Sequence, residues 1–122
     1  MILKDLLYDA MTDHVRCKTC LNQAMETGTC NPPSMVIQQD TMCEFGKWLH
    51  SADVAVEIVN SVHYNNILSI HADFHVAAAE VMRTIERGEV EKAQKMILDD
   101  GHYTVHASKL RNEFLSWVEE LN

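Results

Sequence analysis

The segment ILSIHADFHVAAAEVMRTI, Ile67 to Ile85, sets His71 and His75 four residues apart within an apolar pattern. At about 100° per residue, one side of a helix collects Tyr64, Ile67, Leu68, His71, Phe74, His75, Ala78, Val81, Met82 and Ile85. Asn66, Asp73, Glu80, Arg83 and Arg87 fall on the other side. Both imidazoles are therefore predicted to point into a core. A buried polar group without a partner costs about 2–7 kcal/mol. Two such groups one turn apart call for something both can bind, and a metal ion is the simplest candidate. The alternative is a separate carboxylate, carbonyl or water for each ring.

The same pattern extends towards the N-terminus. A helix predicted from Leu3 to Glu26 has Leu3, Leu7, Ala10, Met11, His14, Cys17, Leu21 and Met25 on its inner face, against Asp5, Asp9, Thr12, Arg16 and Gln23. His14 is thus a third core histidine, on a different helix. Three unsatisfied imidazoles would match the whole net stability of a domain, about 5–15 kcal/mol, so a shared partner is favoured.

Between the two helices, the turn residues of Gly28 to Gln39 predict the one substantial loop, with Cys30 exposed in it. Thr41-Met-Cys-Glu44 has the form of a capping box, which would open a short helix and put Cys43 in its first turn. The helix dipole there favours a thiolate, and Gly46 removes a side chain that would hold a neighbour off. Ser51 or Asp53 is expected to cap a long helix from Val54 to Arg87, bent near Asn65 and stopped at Gly88. A last helix from Glu89 to Leu121 aligns Met96, Tyr103, Leu110, Phe114, Trp117 and Leu121, with Gly101 as its weak point. These elements predict an all-α four-helix bundle with an additional short helix that carries Cys43, in one domain spanning residues 1–122.

Composition narrows the function. The chain has 122 residues, 47% of them hydrophobic, with two prolines and four glycines, which suits one helical core. A net charge of −8 without any basic run excludes nucleic acid as a partner. No apolar run approaches a membrane span, and Asp5 and Asp9 interrupt the start MILKDLLYDA where a signal peptide needs an apolar core. A cytoplasmic protein is expected. Its four cysteines should then be reduced, which favours metal binding, reactivity or burial over disulfides.

The order His14, Cys43-Glu-Phe-Gly46-Lys-Trp48, His71-x-x-x-His75 resembles the CZB domain, the chemoreceptor zinc-binding domain of bacterial signalling proteins. Cys43, Phe45, Gly46 and Trp48 match in place, and the intervals of 29 residues from His14 to Cys43 and 28 from Cys43 to His71 fit. The resemblance implies a zinc ion on His14, Cys43, His71 and His75. Three imidazoles and a thiolate form a borderline-soft tetrahedral set suited to Zn2+. Four protein ligands leave no open position for water, so a structural or sensing role is expected rather than an enzyme. The resemblance further implies sensing of zinc or of hypochlorite-type oxidants through the zinc-bound cysteine, an effector such as a chemoreceptor or diguanylate cyclase, and a homodimer. The outward apolar residues of the first and last helices are the expected contact. One departure is Cys17, three residues after His14, where the family favours an aromatic residue or leucine.

Two other readings compete. A hemerythrin-like di-iron, oxygen-binding bundle would use His102-x-x-x-His106 as a second pair, but it needs inward carboxylates, and His102 and His106 share their flank with Lys109 and Glu113. A zinc site from Cys17, Cys20, His71 and His75 would leave 50 residues between its pairs, far from a small zinc finger. His50 and His63 have no partner at ligand spacing and read as surface or boundary residues. The methionines are scattered core fillers.

Overall fold

The computed structural model describes residues 2–122. Its elements are α1 (Leu3–Thr27), α2 (Ser34–Ile37), α3 (Glu44–Leu49), α4 (Val56–Val59), α5 (Val62–Glu86), α6 (Val90–Met96) and α7 (His102–Glu120). Among the described residues there is no strand, and the all-α bundle is as expected. Three helices are long, and the shorter α6 packs against α5 and α7 as a fourth. No helix of the described residues is long and apolar enough to cross a membrane.

Local chemistry sets the boundaries. Gly28, at φ 73°, takes the left-handed conformation that closes α1, and its N–H donates to the Ala24 carbonyl at 2.8 Å. The bend expected near Asn65 is a full break at Asn60–Ser61 that separates α4 from α5. Ser61 Oγ accepts from the Tyr64 N–H at 3.1 Å and caps α5. Asn65 holds the corner from the next turn, its Nδ2 donating to the carbonyls of Val59 (3.0 Å) and Ser61 (2.9 Å). The expected last helix is likewise two: residues 97–101 separate α6 from α7, with Gly101 as N-cap. A Cβ at Gly101 would lie 2.3 Å from the Met96 carbonyl oxygen, so this tight passage needs glycine. The predicted loop also contains one turn of helix, α2. Ser34 fastens it to α5 by giving its N–H and hydroxyl to the Glu86 carboxylate at 2.9 and 2.6 Å.

Helix α5 is the axis of the molecule, in contact with α1, α2, α4, α6 and α7. Every residue of its predicted stripe is buried except Leu68, which is half-buried. Ala77, Ala79 and Thr84 are buried as well, although they lie off the stripe, because neighbours cover more than one side of α5. The core joins Leu7 and Leu21 of α1, Phe45 and Leu49 of α3, Phe74 and Met82 of α5, and Leu110, Phe114 and Trp117 of α7. At the end of α7 Val118 is buried, while Leu121, expected on the inner line, is exposed.

His63 is more than the boundary residue expected. Its Nδ1 lies 2.6 Å from Glu113 Oε2 and its Nε2 2.5 Å from Glu120 Oε2, and its ring stacks on Trp117 at 6.1 Å. This clasp ties the start of α5 to the end of α7. Tyr64 beside it donates its hydroxyl to the Leu49 carbonyl and anchors α3.

Two substitutions test this architecture in urea unfolding of the metal-free protein. Phe114→Ala empties a side chain that is 1% exposed and should cost about 3–5 kcal/mol. Ser61→Ala removes the α5 cap together with the hydroxyl's bond to the Ile58 carbonyl, and should cost about 1 kcal/mol. Equal losses would contradict the assignment of core and cap.

Candidate metal centre

Each of three segments delivers part of a polar cluster in the bundle interior. His14 comes from the middle of α1, His71 and His75 from adjacent turns of α5, and Cys43 from the residue that opens α3. The capping box expected at Thr41 does not form. Helix α3 starts at Glu44, with Cys43 as its N-cap and Cys43 Sγ accepting the Gly46 N–H at 3.2 Å. The sulfur thus takes the role foreseen for the threonine hydroxyl, and Thr41 is exposed in the preceding turn.

Gly46 explains why the turn can lie where it does. A Cβ on Gly46 would stand 1.6 Å from the Asp40 carbonyl oxygen, so α3 rests directly on the backbone of the segment that leads to Cys43. The expected close approach is real, and the neighbour is the main chain of Asp40.

The donor atoms converge. His71 Nε2 is 3.1 Å from both His14 Nε2 and His75 Nε2. Cys43 Sγ lies 3.3 Å from His71 Nε2, 3.6 Å from His75 Nε2 and 3.9 Å from His14 Nε2. All four atoms fall within 4.8 Å of one another. With zinc–nitrogen bonds of about 2.0–2.1 Å and a zinc–sulfur bond of about 2.3 Å, a tetrahedron separates nitrogens by about 3.3 Å and nitrogen from sulfur by about 3.6 Å. The sulfur–nitrogen distances bracket their value, and the two nitrogen–nitrogen distances of 3.1 Å lie just below theirs.

The outer nitrogens fix the tautomers. His14 Nδ1 donates to the Ala10 carbonyl at 2.6 Å and His75 Nδ1 to the Ile37 carbonyl at 2.8 Å. A carbonyl only accepts, so the proton sits on Nδ1 and the Nε2 lone pair faces the cluster. His71 Nδ1 is buried without a hydrogen-bond partner. The Asp40 carboxylate faces it at 3.8 Å, too long for a hydrogen bond.

Burial prepares the imidazoles and opposes the thiolate. Removal from water lowers His14 to about 4. The same burial, reinforced by His75, His14 and His50, lowers His71 further, and burial lowers His75 despite its bond to Ile37. All three rings are neutral at pH 7, the form that binds metal. Burial pushes the Cys43 thiol up, against the pull of the Gly46 N–H. A bound cation would draw that proton off. Phe45, 5.2 Å from the His71 ring, and Phe74, 5.3 Å from the His14 ring, wall the cluster.

The family of this fold can now be read. The chemoreceptor zinc-binding domain (CZB) profile matches residues 14–82, more than half of the chain, a span that holds all four donors. This chain belongs to the CZB family. No curated protein and no solved structure matches it. Zinc, the ion of CZB domains, suits a donor set of three neutral imidazoles and one sulfur. The CZB cluster includes no carboxylate, so it lacks the bridging groups of a di-iron centre. His102 and His106 stand outside the cluster, their rings 4.7 Å apart on α7.

The other cysteines are also outside the group. Cys17 is half-buried, and burial raises its thiol to about 11. Cys20 is exposed. Cys30 packs half-buried against the core rather than standing exposed as expected. Sequence reasoning missed Asp40, which lies 3.8 Å from His71 and 3.4 Å from His50. An acidic residue three positions before the cysteine was its only signal.

The metal-free protein should lose stability as pH falls from 6.5 towards about 4. His14 is held neutral when folded but takes a proton when unfolded, so its contribution is present above 6.5 and lost as pH drops through its folded value. Thermal midpoints against pH check this, and His14→Leu should reduce the slope, leaving the part due to His71 and His75. Gly46→Ala should loosen residues 40–49 in hydrogen exchange while α7 keeps its protection.

Proposed function

We propose that residues 1–122 form one cytoplasmic, non-catalytic regulatory domain that binds a single Zn2+ through His14, Cys43, His71 and His75. The observation that carries this reading is the mutual spacing of the four donor atoms, which is that of a tetrahedral zinc shell. Four protein ligands close the shell, so no position is left for a substrate or an activated water.

The domain responds to zinc supply and to oxidants of the hypochlorite type, and Cys43 is the responsive ligand. It alone sits on a turn before a short helix, while the histidines are set in helices of 25 residues. A metal-bound thiolate remains nucleophilic. Hypochlorous acid transfers its hydroxyl to that sulfur: the S–O bond forms as O–Cl breaks, sulfur loses two electrons, and chloride departs. The sulfenic acid is a poorer ligand. Loss of its hold on the ion frees the Asp40–Leu49 segment, and a signalling effector such as a chemoreceptor or diguanylate cyclase reads that movement. CZB domains occur in signalling proteins, which supports an effector of this kind.

The domain works as a homodimer. Tyr8 and Val15 on α1 and Val105 and Leu115 on α7 expose apolar surface that a second copy would cover.

Metal analysis of purified protein should find one zinc per chain, and Cys43→Ser should retain less than the wild type under a competing chelator. Stoichiometric hypochlorite should release zinc from the wild type. Full zinc retention in Cys43→Ala would overturn the ligand set. Light scattering at micromolar protein should report a dimer, and Val15→Glu with Leu115→Glu should return it to a monomer.

A further inference from the structure

The cluster is buried but not sealed. A cavity of about 250 Å³ lies between α1 and the 32–43 segment, and His14, Cys43 and His75 form part of its lining. Much of the remaining wall is apolar, as at Leu21, Val36 and Ile37. A dication stripped of water gains nothing from such a wall, so its passage requires donors along the way.

The cavity supplies them in sulfur. Of the four cysteines, three line it: Cys17, Cys20 and the ligand Cys43, with the thioether of Met42 beside them. Asp13 also lines it, but its carboxylate is paired with Arg16 at 3.4 Å. His14, Cys17 and Cys20 follow one another at three-residue intervals on α1, so their side chains are neighbours at about 5–6 Å per step. Cys20 is exposed, Cys17 and His14 are both half-buried, and His14 belongs to the cluster. The arrangement is a ladder of metal donors from solvent to the site.

We propose that Cys20 and Cys17 are transient zinc ligands, a relay that passes the ion between solvent and the buried site in both directions. This rests on the zinc reading of the four-donor cluster. At each rung the thiol yields its proton to solvent as the zinc–sulfur bond forms and takes one back as the ion moves on. No electron is transferred. A relay lowers the barrier equally for uptake and release, so it changes both rates by one factor and leaves the affinity unaltered.

The test uses the full chain. Zinc uptake by the metal-free protein, and zinc release to an excess of the chromophoric chelator 4-(2-pyridylazo)resorcinol, are timed by stopped flow. The Cys17→Ser/Cys20→Ser variant should slow both by about ten-fold or more, a barrier higher by about 1.4 kcal/mol, with the same bound zinc at equilibrium. Cys20→Ser alone, at an exposed position, should slow both to a lesser extent and guards against damage to the fold. Cys30→Ser, away from the cavity, should exchange at the wild-type rate. Zinc-bound variants that exchange like the wild type would overturn the relay. So would a Cys30→Ser effect as large as that of the double variant, or faster release with weakened affinity, which would make the thiols equilibrium ligands. A wild type that holds no zinc in metal analysis would instead remove the site itself, an outcome distinct from unchanged rates.

Discussion

Three neutral imidazoles and a sulfur face one another at 3.1–3.9 Å inside an apolar bundle, and the placement of the surrounding segments follows from that convergence. The interior penalises charge, so it keeps each ring unprotonated and its lone pair available. The same penalty holds the Cys43 proton in place. Three donors are thus ready before a metal arrives and the fourth is not. The cysteine is the donor that must lose a proton to bind, while the histidines are held in helices of 25 residues.

Much of this was legible in residue order. His71 and His75 lie on a stripe whose period alone predicts burial, and His14 lies on a second one. The Cys43–Gly46 spacing marked a close approach before its partner was known. Local pattern failed where tertiary contacts decide. Thr41-Met-Cys-Glu44 satisfies the capping rule, yet α3 begins at Glu44, because the contact of Gly46 with the Asp40 backbone and the Cys43–Gly46 bond set its start. The helices predicted over Val54–Arg87 and Glu89–Leu121 each contain a break that hydropathy does not mark. Ser61 and Asn65 make one corner with side-chain bonds, and Gly101 passes the Met96 carbonyl at the other.

Long-range polar pairs left even less trace. His63 meets Glu113 and Glu120 across 50 residues or more, and Ser34 meets Glu86 across 52. Nothing in a single sequence ties such partners together, because their proximity is a product of the packing of α5 with α7 and α2. The donor cluster was an exception because its residue types carry their own chemistry. A histidine on a core stripe is costly enough to demand an explanation, whereas a glutamate on a helix flank is not.

The absent side chain at Gly46 has a mechanical corollary. With α3 seated on the Asp40 carbonyl and Cys43 bonded back to the Gly46 N–H, residues 40–49 are tied into one unit, with the sulfur ahead of the helix. Trp48 belongs to that unit, its ring stacked on Phe45 and 6.4 Å from Trp117 of α7. A small tilt at the sulfur would therefore be carried across the bundle to an indole pair, and the fold would hold its own optical reporter of that tilt.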